Sequence, residues 1–190
     1  ILMGKAGKSG CGCLVFLVAF CMVIVGLMMH PLSLKFIGNQ FRYEDKVFSA
    51  DAVYIPRFPE DRQGELFDEA FREYGRGNAR AIWIEDDKIL GTSITEFVQK
   101  LARNRGVKDA VIRAVSLPAD RRAMTARVRE QFTAAGFKKV IVVVPDYASR
   151  RFHLLFGSGQ EDGKVAYMIK PVAVTYFHQT GWWKDGTSRA

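Results

Sequence analysis

Residues 139–144 read Lys-Val-Ile-Val-Val-Val, KVIVVV, and the chain's architecture follows from this run. β-Branched side chains crowd a helix and suit a pleated strand. An unbroken apolar run, with no polar residue on alternate positions, implies burial on both faces, the mark of a central strand in a parallel sheet. Parallel strands need long crossovers, usually helical. The flanks should therefore alternate helix with strand, and they do.

Upstream, residues 120–135 place Met124, Val128 and Phe132 on one helical face with Arg121, Arg122 and Arg129 away from it, and Gly136 closes the helix. Residues 110–115 read as a strand. Before it, Ser93-x-x-Glu96 is a capping box for a helix over 94–105, with Gly106 at its end. Residues 79–84 form another strand. A helix is predicted over 60–74 from Leu66, Phe67, Ala70, Phe71 and Tyr74, with Gly75 and Gly77 after it. Residues 52–55 are a short apolar strand stopped by Pro56. Downstream of the central run, 147–156 reads as a helix and 164–177 as a last long strand bent at Pro171. This alternation predicts an α/β fold, a Rossmann-like, doubly wound, mainly parallel sheet with helices on both faces.

Ahead of this domain lies GCGCLVFLVAFCMVIVGLMM, residues 10–29, with no charge and no proline. At about 1.5 Å per residue it spans roughly 30 Å as a helix, the thickness of a bilayer's hydrocarbon core. A cleaved leader has a shorter apolar region and a small-x-small cleavage site, which Leu27-Met28-Met29-His30-Pro31 does not supply. A single transmembrane helix over 10–30 is expected. Lys5 and Lys8, with no acid before Glu44, put residues 1–9 in the cytoplasm and the domain outside it, on the periplasmic face of a bacterial inner membrane. Pro31 should end or kink the helix. Residues 31–49 form a connector in which Phe36, Phe41 and Tyr43, with Lys35 and Arg42, either line the membrane interface or pack beneath the domain. The domain covers 50–180, and a Trp-rich tail covers 181–190.

Formal net charge is +8, which suits an acidic partner or anionic headgroups. Nucleic acid is not expected, since no binding motif appears and the aromatics are not interleaved with a basic stripe. The three cysteines, Cys11, Cys13 and Cys21, all lie in the apolar segment, so the domain has no disulfide and no thiolate metal site.

In doubly wound sheets ligands bind beyond the carboxyl ends of the strands. Here those ends carry Pro56-Arg57-Phe58, Glu85-Asp86-Asp87, Ser116-Leu117-Pro118 and Pro145-Asp146-Tyr147. Glu85, Asp86 and Asp87 either hold a hard cation or form a solvated turn. Arg57 and Asp146 could meet across the crevice, as a site or as an ion pair. Ser116 lacks a nucleophile elbow and a partnered histidine, and His153, between Phe152 and Leu154, reads as structural. No P-loop, Gly-x-Gly-x-x-Gly or metal-ligand spacing is present, so no cofactor is expected. Trp182 and Trp183 beside Lys184 pack on the domain, anchor at the membrane or fill a partner's pocket.

From Ala50 onward the order of segments resembles the DUF218 family, the SanA/ElyC/YdcF-like envelope proteins. The likeness rests on Asp51-Ala52-Val53, on Tyr74-Gly75-Arg76-Gly77-Asn78-Ala79, on Arg105-Gly106-Val107, on Ala135-Gly136-Phe137-Lys138-Lys139-Val140, on Asp146-Tyr147-Ala148-Ser149-Arg150-Arg151 and on Gly181-Trp182-Trp183-Lys184. It implies a Rossmann-like fold, often behind an N-terminal membrane helix, and a role in envelope or polysaccharide biology. The family's glycines after the first strand and its Ser-Gly-Gly after the second are replaced by Pro56-Arg57-Phe58 and Glu85-Asp86-Asp87. Its histidine after the fourth is replaced by Ala148, while Arg151 keeps the arginine position. Bulky strand ends keep backbone N–H groups away from a phosphate, and the obvious proton carrier is gone. The expectation is a non-catalytic accessory subunit that stabilises a membrane protein complex of respiratory, transport or photosynthetic type. The alternative is an envelope enzyme, or a protein binding a nucleotide or lipid-linked sugar, with a divergent site of Arg57, Asp86, Asp146 and Arg151.

Overall fold

A computed structural model describes residues 9–61, 63–86, 88–89, 92–115, 123–157 and 165–178. Five parallel strands form the main sheet: β1 (Ala52–Ile55), β2 (Ala81–Glu85), β5 (Ile112–Val115), β6 (Lys139–Pro145) and β7 (Ala166–Val172), in the order β5-β2-β1-β6-β7. The short strands β3 (Lys88–Ile89) and β4 (Thr92–Ser93) pair antiparallel apart from it. The helices of the domain are α3 (Glu65–Gly75), α4 (Ile94–Arg103), α5 (Met124–Ala134) and α6 (Asp146–Phe156).

The apolar run at 139–144 lies beside β1, one place in from the edge, with Val140 to Val144 fully buried. Alternation sorts its side chains into two cores. Ile141 and Val143 join Val53, Ile55, Ile82 and Ile84 under α3 and α4. Val140, Val142 and Val144 join Tyr54, Trp83, Phe132 and Phe152 under α5 and α6. The sheet is thus covered on both faces, as expected.

Several boundaries differ from the sequence reading, each for a local reason. The first domain helix starts at Glu65 rather than at residue 60, because Gly64 adopts φ +73°, outside helical space. The strand expected over 110–115 opens with a 3-10 turn at Asp109–Val111, where Asp109 is pulled to Arg103 at 2.9 Å. Pro171 does not break the last strand. It pairs opposite Val144 on β7, an edge strand, where proline is tolerated. The open side of that edge is met by Asp45, whose carboxylate accepts the Ile169 N–H at 2.8 Å.

The N-terminal helix α1 (Ser9–Met29) contributes nothing to either core, and Cys13 to Met29 are exposed. It is followed by α2 (Pro31–Gln40), so the expected connector is partly helical. Pro31 has no N–H and sits where a new helix needs none, while His30 caps it by accepting the Leu32 N–H. Among the described residues no single helix is long and apolar enough to cross a membrane. Cys13–Met29 and Pro31–Gln40, bent by 61°, meet that requirement only as a pair.

Candidate functional site

The order β5-β2-β1-β6-β7 reverses direction between β1 and β6, and there the crevice of such a sheet opens. In this chain aromatic rings fill it. Phe58, just beyond β1, lies edge-on to Tyr147 with centroids 6.5 Å apart and 5.7 Å from Phe152. Tyr147 in turn packs on Phe177 at 4.6 Å and Tyr176 at 6.3 Å. Phe177 and Tyr176 arrive on the segment after β7, which is stitched over the carboxyl edge where the Thr175 N–H donates to the Glu65 carboxylate at 3.0 Å. Burial pushes the Tyr147 and Tyr176 phenols up.

Three helix N-termini at this edge, ready anion sites in other proteins, are taken by the chain's own acids. Asp61 accepts the Glu65 and Leu66 N–H groups of α3 at 3.0 and 3.1 Å. Asp86 accepts the Thr95 N–H of α4 at 3.0 Å and the Ser93 hydroxyl at 2.7 Å. Asp146 accepts the Tyr147 N–H of α6 at 2.8 Å. A phosphate at any of the three would meet a carboxylate already seated on the donors.

What stays open is a cleft of about 740 Å³ between the ends of β1 and β2 and the helices α3 and α4. Its walls are mainly apolar, with Ile55, Phe58, Leu66, Phe67, Ile94 and Phe97 among them, and Arg57, Asp61, Glu85 and Ser93 supply polar groups. Phe97 stands on the rim, 59 % exposed. Glu85, 2 % exposed, accepts the Arg57 N–H at 2.9 Å and a hydrogen bond from the Tyr54 hydroxyl. Burial and then the adjacent Glu85 charge drive the Tyr54 phenol well above its usual range.

The residues singled out from sequence are thereby dispersed. Arg57 and Glu85 come together at the cleft. Glu85 belongs to a buried strand end rather than a solvated turn. Asp86 faces the other way, into the cap of α4. Asp146 has Arg42 and His178 as charged neighbours instead of Arg57. Arg151 is exposed on the outside of α6. Asp87, Ser116, Trp182 and Trp183 lie outside the described residues. Among those described, no group of three His, Cys, Asp or Glu side chains is placed to hold a metal. The connector aromatics divide: Tyr43 stacks on His153 at 3.6 Å and donates its hydroxyl to Asp45, while Phe36 and Phe41 are exposed. Asp61, Tyr54 and Phe97 were missed. A Tyr within AVYI and a Glu ending AIWIE, polar tips on two apolar strands, were the available signal.

Two of these acids should respond to pH with opposite sign. Burial pushes Asp86 up, but hydrogen bonds from Ser93, Thr95 and Ile94 outweigh it and hold its carboxyl below the ordinary 3.8. Its stabilisation is complete above the unfolded value and lost as pH falls through the lower folded one. Asp86→Ala is expected to cost about 1 kcal/mol at neutral pH, with the gap to wild type in urea midpoint narrowing in acid below 3.8. Burial, opposed by the Tyr147 N–H and Arg42, raises Asp146. Its folded form prefers the proton, so stability is lost as pH rises through the folded value. Asp146→Asn should raise the urea midpoint at neutral pH and leave it unchanged in acid. A lower midpoint at neutral pH would show that the ionised carboxylate is needed.

No family model matches the chain, and no match to it is found among curated proteins or solved structures. Some of the residues behind the DUF218 resemblance have structural work at the sheet's amino edge. Asp51 accepts the Lys138 and Lys139 N–H groups at 2.7 and 3.0 Å, and Asn78 and Arg76 bind the buried Glu73 at 2.7 Å each.

Proposed function

We propose that this chain is a membrane-tethered, non-catalytic accessory subunit, derived from a DUF218-like scaffold, that works by contact with an integral membrane partner. The observation that carries this reading is the carboxyl edge of the sheet. Three helix N-termini there are seated on Asp61, Asp86 and Asp146, and the crevice between β1 and β6 is packed with Phe58, Tyr147 and Phe177. At these three termini the chain's own carboxylates already hold the N–H donors that a phosphate or nucleotide would use. Its open feature is an apolar cleft rimmed by an exposed phenylalanine, which suits an apolar side chain of a protein partner. The helix at 10–30 supplies attachment in the inner membrane, with the domain on the periplasmic side.

Purification of the full chain from its native membrane in mild detergent tests this. The expected result is a stoichiometric membrane partner whose recovery falls at least tenfold in Phe97→Glu. A chain that purifies alone and binds a nucleotide or lipid-linked sugar, with binding abolished by Arg57→Ala or Arg151→Ala, would overturn it in favour of an envelope enzyme or binding protein.

A further inference from the structure

The outer face of α6 carries Arg150, Arg151, Leu154 and Leu155, all exposed, with Leu154 at 70 %. Spaced four apart, each arginine shares a stripe with a leucine. Among the described residues neither guanidinium has a carboxylate partner. A helix that leaves two leucines in water beside two arginines has the make-up of an interfacial helix, apolar contact with the acyl boundary and cations at headgroup depth.

The position of α6 says what covers this face. Its Arg150 N–H donates to the Phe41 carbonyl at 3.0 Å, and Ser149 Oγ accepts the Tyr43 N–H at 2.7 Å. The start of α6 is therefore bound to the residue that ends α2, and α2 begins at the residue after the bend from α1. Ten residues of helix, about 15 Å, separate the end of α1 from α6. The same short helix exposes Leu32 at 70 % and Phe36 at 65 %. The excess of basic residues, net +8, favours an anionic surface.

We propose that the Arg150–Leu155 face of α6 lies on the anionic headgroup surface of the bilayer that holds α1, fixing the orientation of the domain. This rests on the membrane attachment proposed above. With α6 on the lipid surface, Tyr43 is left to the second of its two expected places, packed beneath the domain on His153.

The test uses the full chain with Cys11, Cys13 and Cys21 replaced by Ser and an NBD fluorophore on Leu154→Cys. It is reconstituted into vesicles of phosphatidylcholine alone or mixed with phosphatidylglycerol. The expected result is blue-shifted emission, quenched at least twofold by a headgroup-region spin label, in the anionic vesicles, and reversal of both effects by Arg150→Glu/Arg151→Glu. The same probe on Lys108→Cys should stay water-like throughout. Water-like emission from position 154 in anionic vesicles, in a chain that resists alkaline extraction, would overturn the α6 contact and leave the anchor standing. Release of the chain by alkaline extraction would overturn both. A blue shift indifferent to lipid charge and to the glutamates would overturn the role given to the arginines.

Discussion

Phe132→Ala is expected to destabilise the α/β domain by about 3–5 kcal/mol, near half the stability of an ordinary domain. Phe132 is completely buried at the centre of the α5/α6 core. Its ring is edge-on to Tyr54 at 5.3 Å and to Trp83 at 5.4 Å, and tilted against Phe137 at 5.9 Å and Tyr167 at 6.3 Å. Removing it takes away the transfer free energy of the ring and opens a cavity that four rigid neighbours cannot collapse to fill. Phe132→Leu keeps most of the volume and should cost less than half as much. Urea unfolding of the full chain in micelles, followed by far-UV circular dichroism, measures both. A loss below about 1 kcal/mol for Phe132→Ala would mean that this face of the sheet repacks freely.

Glu85→Ala is the second large effect, expected at about 3 kcal/mol. The substitution leaves the buried Tyr54 hydroxyl and the Arg57 N–H without the carboxylate they now share, and each stranded donor costs about 1–3 kcal/mol. Tyr54 is fully buried in the sheet beneath Phe132, so water does not readily replace the lost acceptor. The informative comparison is the double-mutant cycle. Tyr54→Phe alone should also destabilise, whereas Tyr54→Phe in the Glu85→Ala background should cost nothing or restore stability, giving a coupling above about 1 kcal/mol. Additive losses would show that the two groups do not depend on each other. The same variant touches the cleft, so loss of partner recovery in Glu85→Ala has to be read beside its stability, which Phe97→Glu on the exposed rim avoids.

The strands were legible because their signal is local. Residues 52–55 and 139–144 carry runs of β-branched and apolar side chains, and the structure has strands there, the second extended by Pro145. The Ser93-x-x-Glu96 cap is likewise local and holds, with Ser93 Oγ accepting the Glu96 N–H at 3.4 Å. The start of α3 is not legible in the sequence, because the apolar stripe does not reveal that Gly64 turns left-handed or that Asp61 does the capping from outside the helix. In the sequence the acidic triplet looks like one cluster because its members are adjacent. The pleat sends neighbours to opposite sides, so Glu85 goes into the sheet's end and Asp86 to α4.

By itself the sequence determined the class of fold, the double-sided burial of the central run and the presence of one long apolar segment ahead of the domain. It also determined that the strand ends carry bulky or acidic residues where a phosphate site needs glycine. Only the tertiary structure decided what those residues do. Strand order brings Phe58 to Tyr147, the return of the chain after β7 brings Phe177 onto Tyr147, and Glu85 meets a tyrosine 31 positions away. Periodicity and capping are fixed by neighbours within a few residues, whereas contacts between strand ends depend on which strands lie side by side, and that order is set by the packing of the whole sheet against its two layers of helices.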